Sequence, residues 1–130
     1  MESVNVAKRA FNGICLVTRD VLRARRFYES VLQVNFEGDD GFAWLTTERG
    51  TLSIFSVEGM EKMAPGSMSG SGHGSYTIEF EVDDVDREVE RLKSLGVQFV
   101  KEPTTQSWRR RSVWFRDPDG NIVNFYKSLV

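Results

Sequence analysis

Glu79 and Glu81 alternate with Ile78, Phe80 and Val82 along Tyr76 to Val82, which sets two carboxylates on one face of a strand. A carboxylate so placed can hold a cationic ligand or serve as a general base; a shallow strand would instead leave both in solvent. Arg109-Arg110-Arg111 follows Trp108 and could meet an anionic group. The plainer readings are a solvated loop edge or an ion pair across a dimer. Cys15 has no basic neighbour in sequence to activate it, so it reads as a small buried residue. His73 sits in a Gly/Ser-rich stretch, where it could close over a site as a lid or simply be exposed. One histidine and one cysteine exclude a zinc site built from several such ligands of one chain, and exclude an intrachain disulfide.

The whole composition narrows the choice further. Lys plus Arg number 17 and Asp plus Glu 19, a net charge of -2, so no large basic excess exists for phosphates. No nucleic acid partner is expected. No apolar run approaches the ~18 residues of a membrane span, and Met1 to Ala10 lacks the apolar core of a signal peptide. A cytoplasmic protein without a membrane partner is the expectation. The chain has 130 residues, 40% hydrophobic and 28% charged, which suits one globular domain with a core of its own.

The elements that would position these residues can be read from periodicity. Gly13 to Thr18 is a short strand, and Asp20 is a good N-cap. Val21, Ala24, Phe27, Tyr28 and Val31 then recur at helical spacing up to about Leu32. Phe36 marks a second strand, Phe42 to Thr46 a third and Leu52 to Val57 a fourth, with turns at Gly38 to Gly41 and Glu48-Arg49-Gly50. Glu58 to Ser75 loses periodicity and reads as a long mobile connection. The pattern restarts with the strand Tyr76 to Val82, an N-cap at Asp83-Asp84 and a helix carrying Val85, Val89, Leu92 and Leu95, stopped at Gly96. Strands follow at Val97 to Val100, Ser112 to Phe115 and Ile122 to Tyr126, with a loop at Pro103 to Ser107 and a tight turn at Asp117-Pro118-Asp119-Gly120. Laying Asp20-Val21 on Asp84-Val85 superposes the halves with a shift of 64 residues. The single domain of residues 1–130 thus divides into a first module at 12–57, a linker at 58–75 and a second module at 76–127.

Two stretches carry a family resemblance. Val17-Thr18-Arg19-Asp20 runs into Arg26-Phe27-Tyr28-Glu29-Ser30-Val31-Leu32, and Phe115-Arg116-Asp117-Pro118-Asp119-Gly120-Asn121 precedes a last apolar strand. With the duplicated module, the chain resembles the vicinal oxygen chelate superfamily of glyoxalases, bleomycin-resistance proteins and extradiol dioxygenases. The resemblance implies an α+β fold of two βαβββ modules, forming a curved, cup-shaped mixed sheet with helices packed on the outer face. It also implies a homodimer in which modules of two chains complete two cups. Enzymes of the group usually hold a divalent ion through His, Glu or Gln on four strands. Those positions fall here on Gly13, Ser53, Thr77 and Asn124, which bring no charge and at most weak donors. No metal and no other cofactor is therefore expected.

The parity of those four positions gives the inward face. Phe42, Trp44, Ser53 and Phe55 line it from the first module, and Thr77, Glu79, Trp114, Asn124 and Tyr126 from the second. Aromatic residues on strands are often core. Here the opposite parity already supplies Ile14, Leu16, Ile78, Phe80, Val113, Phe115, Val123 and Phe125 to pack against the helices. The expected function is binding of a small organic molecule in an aromatic-lined cup. The alternatives are a lyase, isomerase or dioxygenase-type enzyme of the same superfamily, metal-independent or with an unrecognised metal site, and a non-catalytic module whose cup is filled by its own side chains.

Overall fold

The computed structural model describes residues 9–72 and 75–130, so His73 lies outside the described residues. The element order is β1 (Gly13–Thr18), α1 (Val21–Leu32), β2 (Glu37–Gly38), β3 (Phe42–Thr47), β4 (Gly50–Ser56), α2 (Val57–Met63), β5 (Thr77–Glu81), α3 (Val85–Ser94), β6 (Gln98–Thr105), β7 (Arg110–Arg116) and β8 (Ile122–Ser128). Each half forms a four-stranded mixed sheet, ordered β1-β4-β3-β2 and β5-β8-β7-β6. In both, the strand before the long helix pairs parallel with the last strand of its module, which the intervening helix and antiparallel strands make possible. The architecture is α+β, with two βαβββ modules.

The two long helices start for the same local reason. Asp20 accepts the backbone N–H of Arg23 at 3.0 Å, and Asp84 accepts that of Arg87 at 3.1 Å. Val21, Ala24, Tyr28 and Val31 form the buried stripe of α1, and Val85, Val89 and Leu92 that of α3. Gln33 in the left-handed region ends α1, and Gly96 at φ 74° follows α3. These stripes meet the strand residues of one parity, among them Leu16, Ile54, Ile78, Val113, Phe115, Val123 and Phe125, in one continuous core.

The modules are joined by polar contacts as well. Tyr28 is fully buried and donates to Asp117 Oδ2 at 2.6 Å. Asp117 also accepts backbone N–H groups of Asp119 and Asn121 and the Asn121 side-chain amide, each at 2.9 Å. Helix α1 is thereby tied to the turn between β7 and β8. Arg91 of α3 donates in return to the carbonyls of Ser30 and Val31, at the end of α1, at 3.0 and 2.6 Å.

Several segments depart from the sequence reading, among them the second strand, which is Glu37–Gly38 and leaves Phe36 just before it. The stretch read as an irregular connection begins with α2, capped by Ser56, which accepts the Gly59 N–H at 2.9 Å. Glu61 then folds the following chain back by accepting the N–H groups of Gly66 and Met68. No residue of α2 is buried, so it shows no apolar stripe to read. Strand β6 runs through Pro103 to Thr105 instead of stopping at Val100. It is a sheet edge, where a residue without an N–H is tolerated, and its register with β7 shifts on either side of Lys101. Strand β7 starts at Arg110 instead of Ser112, and β8 reaches Ser128.

Candidate functional site

The first sheet turns Phe42, Trp44, Ser53 and Phe55 to the face opposite α1. Phe42 pairs in register with Phe55 and Trp44 with Ser53. The rings make a cluster: Phe42 lies 5.5 Å from Trp44 and 5.6 Å, edge-on, from Phe55. Phe42 stays 41% exposed. Helix α2 closes one side, with Gly59 so near Phe55 that a Cβ would lie 2.5 Å from its ring.

The second sheet presents an ordered row across its open face. Glu79 on β5 pairs with Asn124 on β8, Asn124 with Trp114 on β7, and Trp114 with Lys101 on β6. Asn124 is 2% exposed and donates to the Val113 carbonyl at 3.1 Å. Tyr126 sits one step along, opposite Ser112 and Glu81. The Arg110 guanidinium lies 3.8 Å over the Tyr126 ring and 3.9 Å from Glu79 Oε1, and Lys101 Nζ lies 5.7 Å over Trp114. Sequence reasoning missed Lys101. The signal was the alternation Phe99, Lys101, cut short by ending the strand at Val100.

The three arginines go three ways. Arg109 adopts a positive φ of 65° in the turn before β7. Arg110 faces the open side, and Arg111 forks onto Asp86 of α3 with two bonds of 2.8 Å. That fork holds the exposed Asp86 carboxyl below its usual range. Both ion pairs run within the chain. Cys15, expected to be buried, is exposed, because β1 is a sheet edge and Cys15 points away from the helix side.

A cleft of about 700 Å³ separates β1, β3 and β4 from β5 and β8. Ile14, Leu45 and Leu52 line it from one module and Ile78, Phe80 and Tyr126 from the other. Arg49 and Glu81 bridge its rim at 3.4 Å. Of the sequence-predicted residues, Thr77, Glu79 and Tyr126 line this cleft; Phe42, Trp44, Ser53, Phe55, Trp114 and Asn124 are not among its lining. The predicted cup residues thus fall into two groups, one per sheet.

The four positions where the family resemblance would place metal ligands do not suit a divalent ion. Gly13 has φ 155°, and a Cβ built there would meet the Thr51 carbonyl oxygen at 1.9 Å, so this backbone takes no ligating side chain at that position. Ser53, Thr77 and Asn124 bring only neutral oxygen donors. Among the described residues no three of His, Cys, Asp and Glu gather in a metal-binding arrangement. No helix among them is long and apolar enough to cross a membrane.

Known proteins place this geometry. The chain is 27% identical over 123 residues to the uncharacterized protein YraH of Bacillus subtilis, covering 89% of this chain and 96% of that one. It is 25% identical over 122 residues to the fosfomycin resistance protein FosX of Listeria innocua, covering 90% and 88%. The crystal structure of a glyoxalase/bleomycin resistance protein/dioxygenase from Nocardioides superposes with a TM-score of 0.80 at 21% identity, covering 97% of this chain and 87% of that chain. Residues 10–125 match the family as a whole, and with the duplicated βαβββ fold this makes the chain a member of the Glyoxalase/Bleomycin resistance protein/Dioxygenase superfamily.

Proposed function

We propose that the protein is a metal-free, cytoplasmic homodimer that binds a small organic molecule on its aromatic sheet faces. One observation carries this reading. The core is complete without Phe42, Trp44, Phe55, Trp114 and Tyr126, because residues of the opposite strand parity already fill it. Rings that the fold does not need for packing, left partly open beside Ser53, Glu79 and Asn124, have the composition of a ligand surface. Neutral donors at Ser53, Thr77 and Asn124, with a glycine at position 13, support a metal-independent role. A relative named for fosfomycin resistance agrees with a small-molecule ligand. A single cysteine suits a reducing compartment.

The test is a thermal-shift screen of small aromatic and charged compounds, followed by tryptophan fluorescence. A true ligand raises the melting temperature and quenches the emission. Trp114→Ala should abolish that response while the protein stays folded. A silent screen, with Trp44→Ala and Trp114→Ala both unfolding the chain, would make the rings core and sink the reading.

A further inference from the structure

We infer that the open face of the second sheet takes a planar organic anion, stacked on Trp114 and held by Arg110 and Lys101; this rests on the small-molecule reading above. The warrant is the state of two cations. Arg110 Cζ lies 3.8 Å from the centre of the Tyr126 ring, which holds the guanidinium against that side chain. Glu79 Oε1 is 3.9 Å away, within ion-pair range but beyond hydrogen-bond distance. Among the described residues the Arg110 side chain makes no hydrogen bond, so its N–H donors are unbonded although Glu79 lies within ion-pair range. Arg111, one residue on, shows the contrast: its fork is spent on Asp86 through two bonds of 2.8 Å. Lys101 Nζ rests over Trp114 and, among the described residues, forms neither a hydrogen bond nor an ion pair.

The face therefore offers two cations with free donors and one carboxylate, Glu79, already beside Arg110. A carboxylate ligand can take the Arg110 fork in bidentate fashion, while the Lys101 ammonium, on the far side of Trp114, adds attraction as a point charge. Its flat body then lies on the indole. A cationic ligand would meet the reverse, because both cations repel it.

One scaffold in three charge states tests this by isothermal titration calorimetry: 1-naphthoate, 1-naphthamide and 1-naphthylmethylamine. Naphthoate should bind about tenfold or more tighter than the amine, and R110Q and K101Q should each remove most of that preference. The melting temperature of each variant shows that it is folded. Amine or amide binding as tight as naphthoate, or naphthoate affinity unchanged in R110Q and K101Q, overturns the inference and leaves the small-molecule reading standing. If none of the three binds, the inference falls; the reading beneath it falls as well only when the broader thermal-shift screen is also silent.

Discussion

Tyr28 carries more of the architecture than its size suggests. Burial first, then the neighbouring Asp117, pushes its hydroxyl pKa far above the ordinary tyrosine value. The hydroxyl therefore stays protonated and donates across the module boundary. Tyr28→Phe leaves a buried carboxyl oxygen with one donor fewer, and should cost about 1–3 kcal/mol in urea unfolding. Its pH signature has a definite sign. Above about pH 10 the unfolded chain releases this proton and the folded chain keeps it, so stability falls as pH rises, by up to about 1.4 kcal/mol per unit. Tyr76, exposed but also shifted upward by desolvation, adds in the same direction. The variant should lose a large part of this alkaline slope; an unchanged slope would assign it to other groups. Gly13 makes the second residue-level test. Gly13→Ala should destabilise, because its Cβ has no room beside Thr51 and its φ of 155° suits glycine. Elemental analysis of protein purified without chelator should show well under one metal per chain. Stoichiometric zinc, nickel, iron or manganese needed for folding or activity would contradict the reading of these positions.

A strand with two unlike faces lets neighbouring residues give opposite results. Phe115 is buried against Phe27 and Phe125, whereas Trp114 lies on the other side of β7 beneath Lys101. Phe115→Ala should cost about 3–5 kcal/mol, the usual loss for a buried ring. Trp114→Ala should leave most of the stability in place and remove ligand-dependent fluorescence quenching. Equal destabilisation by both would place Trp114 in the core. This two-faced character was legible in the sequence, because alternation at period 2 is a local signal, and so were the helices, whose aspartate caps and 3.6-residue stripes lie close together in the chain. Helix α2 was not legible. It buries no residue, so nothing in its pattern distinguishes it from the glycine- and serine-rich chain that follows. The extension of β6 was hidden by Pro103, which argues against a strand except at an edge, and edge status depends on the whole sheet.

In the proposed dimer, assembly decides how the rings of the two sheets are used. Duplication made the two-module plan readable, and strand parity named the rings on each sheet. What parity could not tell was which rings the chain's own cations cover, since the Lys101–Trp114 pairing follows from the register shifts in β6, a product of three-dimensional pairing. Nor could it join the sheets. Phe42, Trp44 and Phe55 cluster on one sheet, while Trp114 and Tyr126 lie with Lys101 and Arg110 on the other. On the proposed homodimer, Trp44 and Ser53 of one subunit face Thr77 and Trp114 of its partner, and two equivalent cups form about one twofold axis. Two half-open aromatic faces per chain would be covered at once, which gives association an apolar driving force. Sedimentation equilibrium at micromolar concentration should return about twice the 14.8 kDa chain mass. Trp44→Ala should shift that equilibrium toward single chains and weaken ligand binding together, because the same ring would serve both. A single-chain mass at high concentration, with ligand binding intact, would overturn the shared cup and locate binding within one chain.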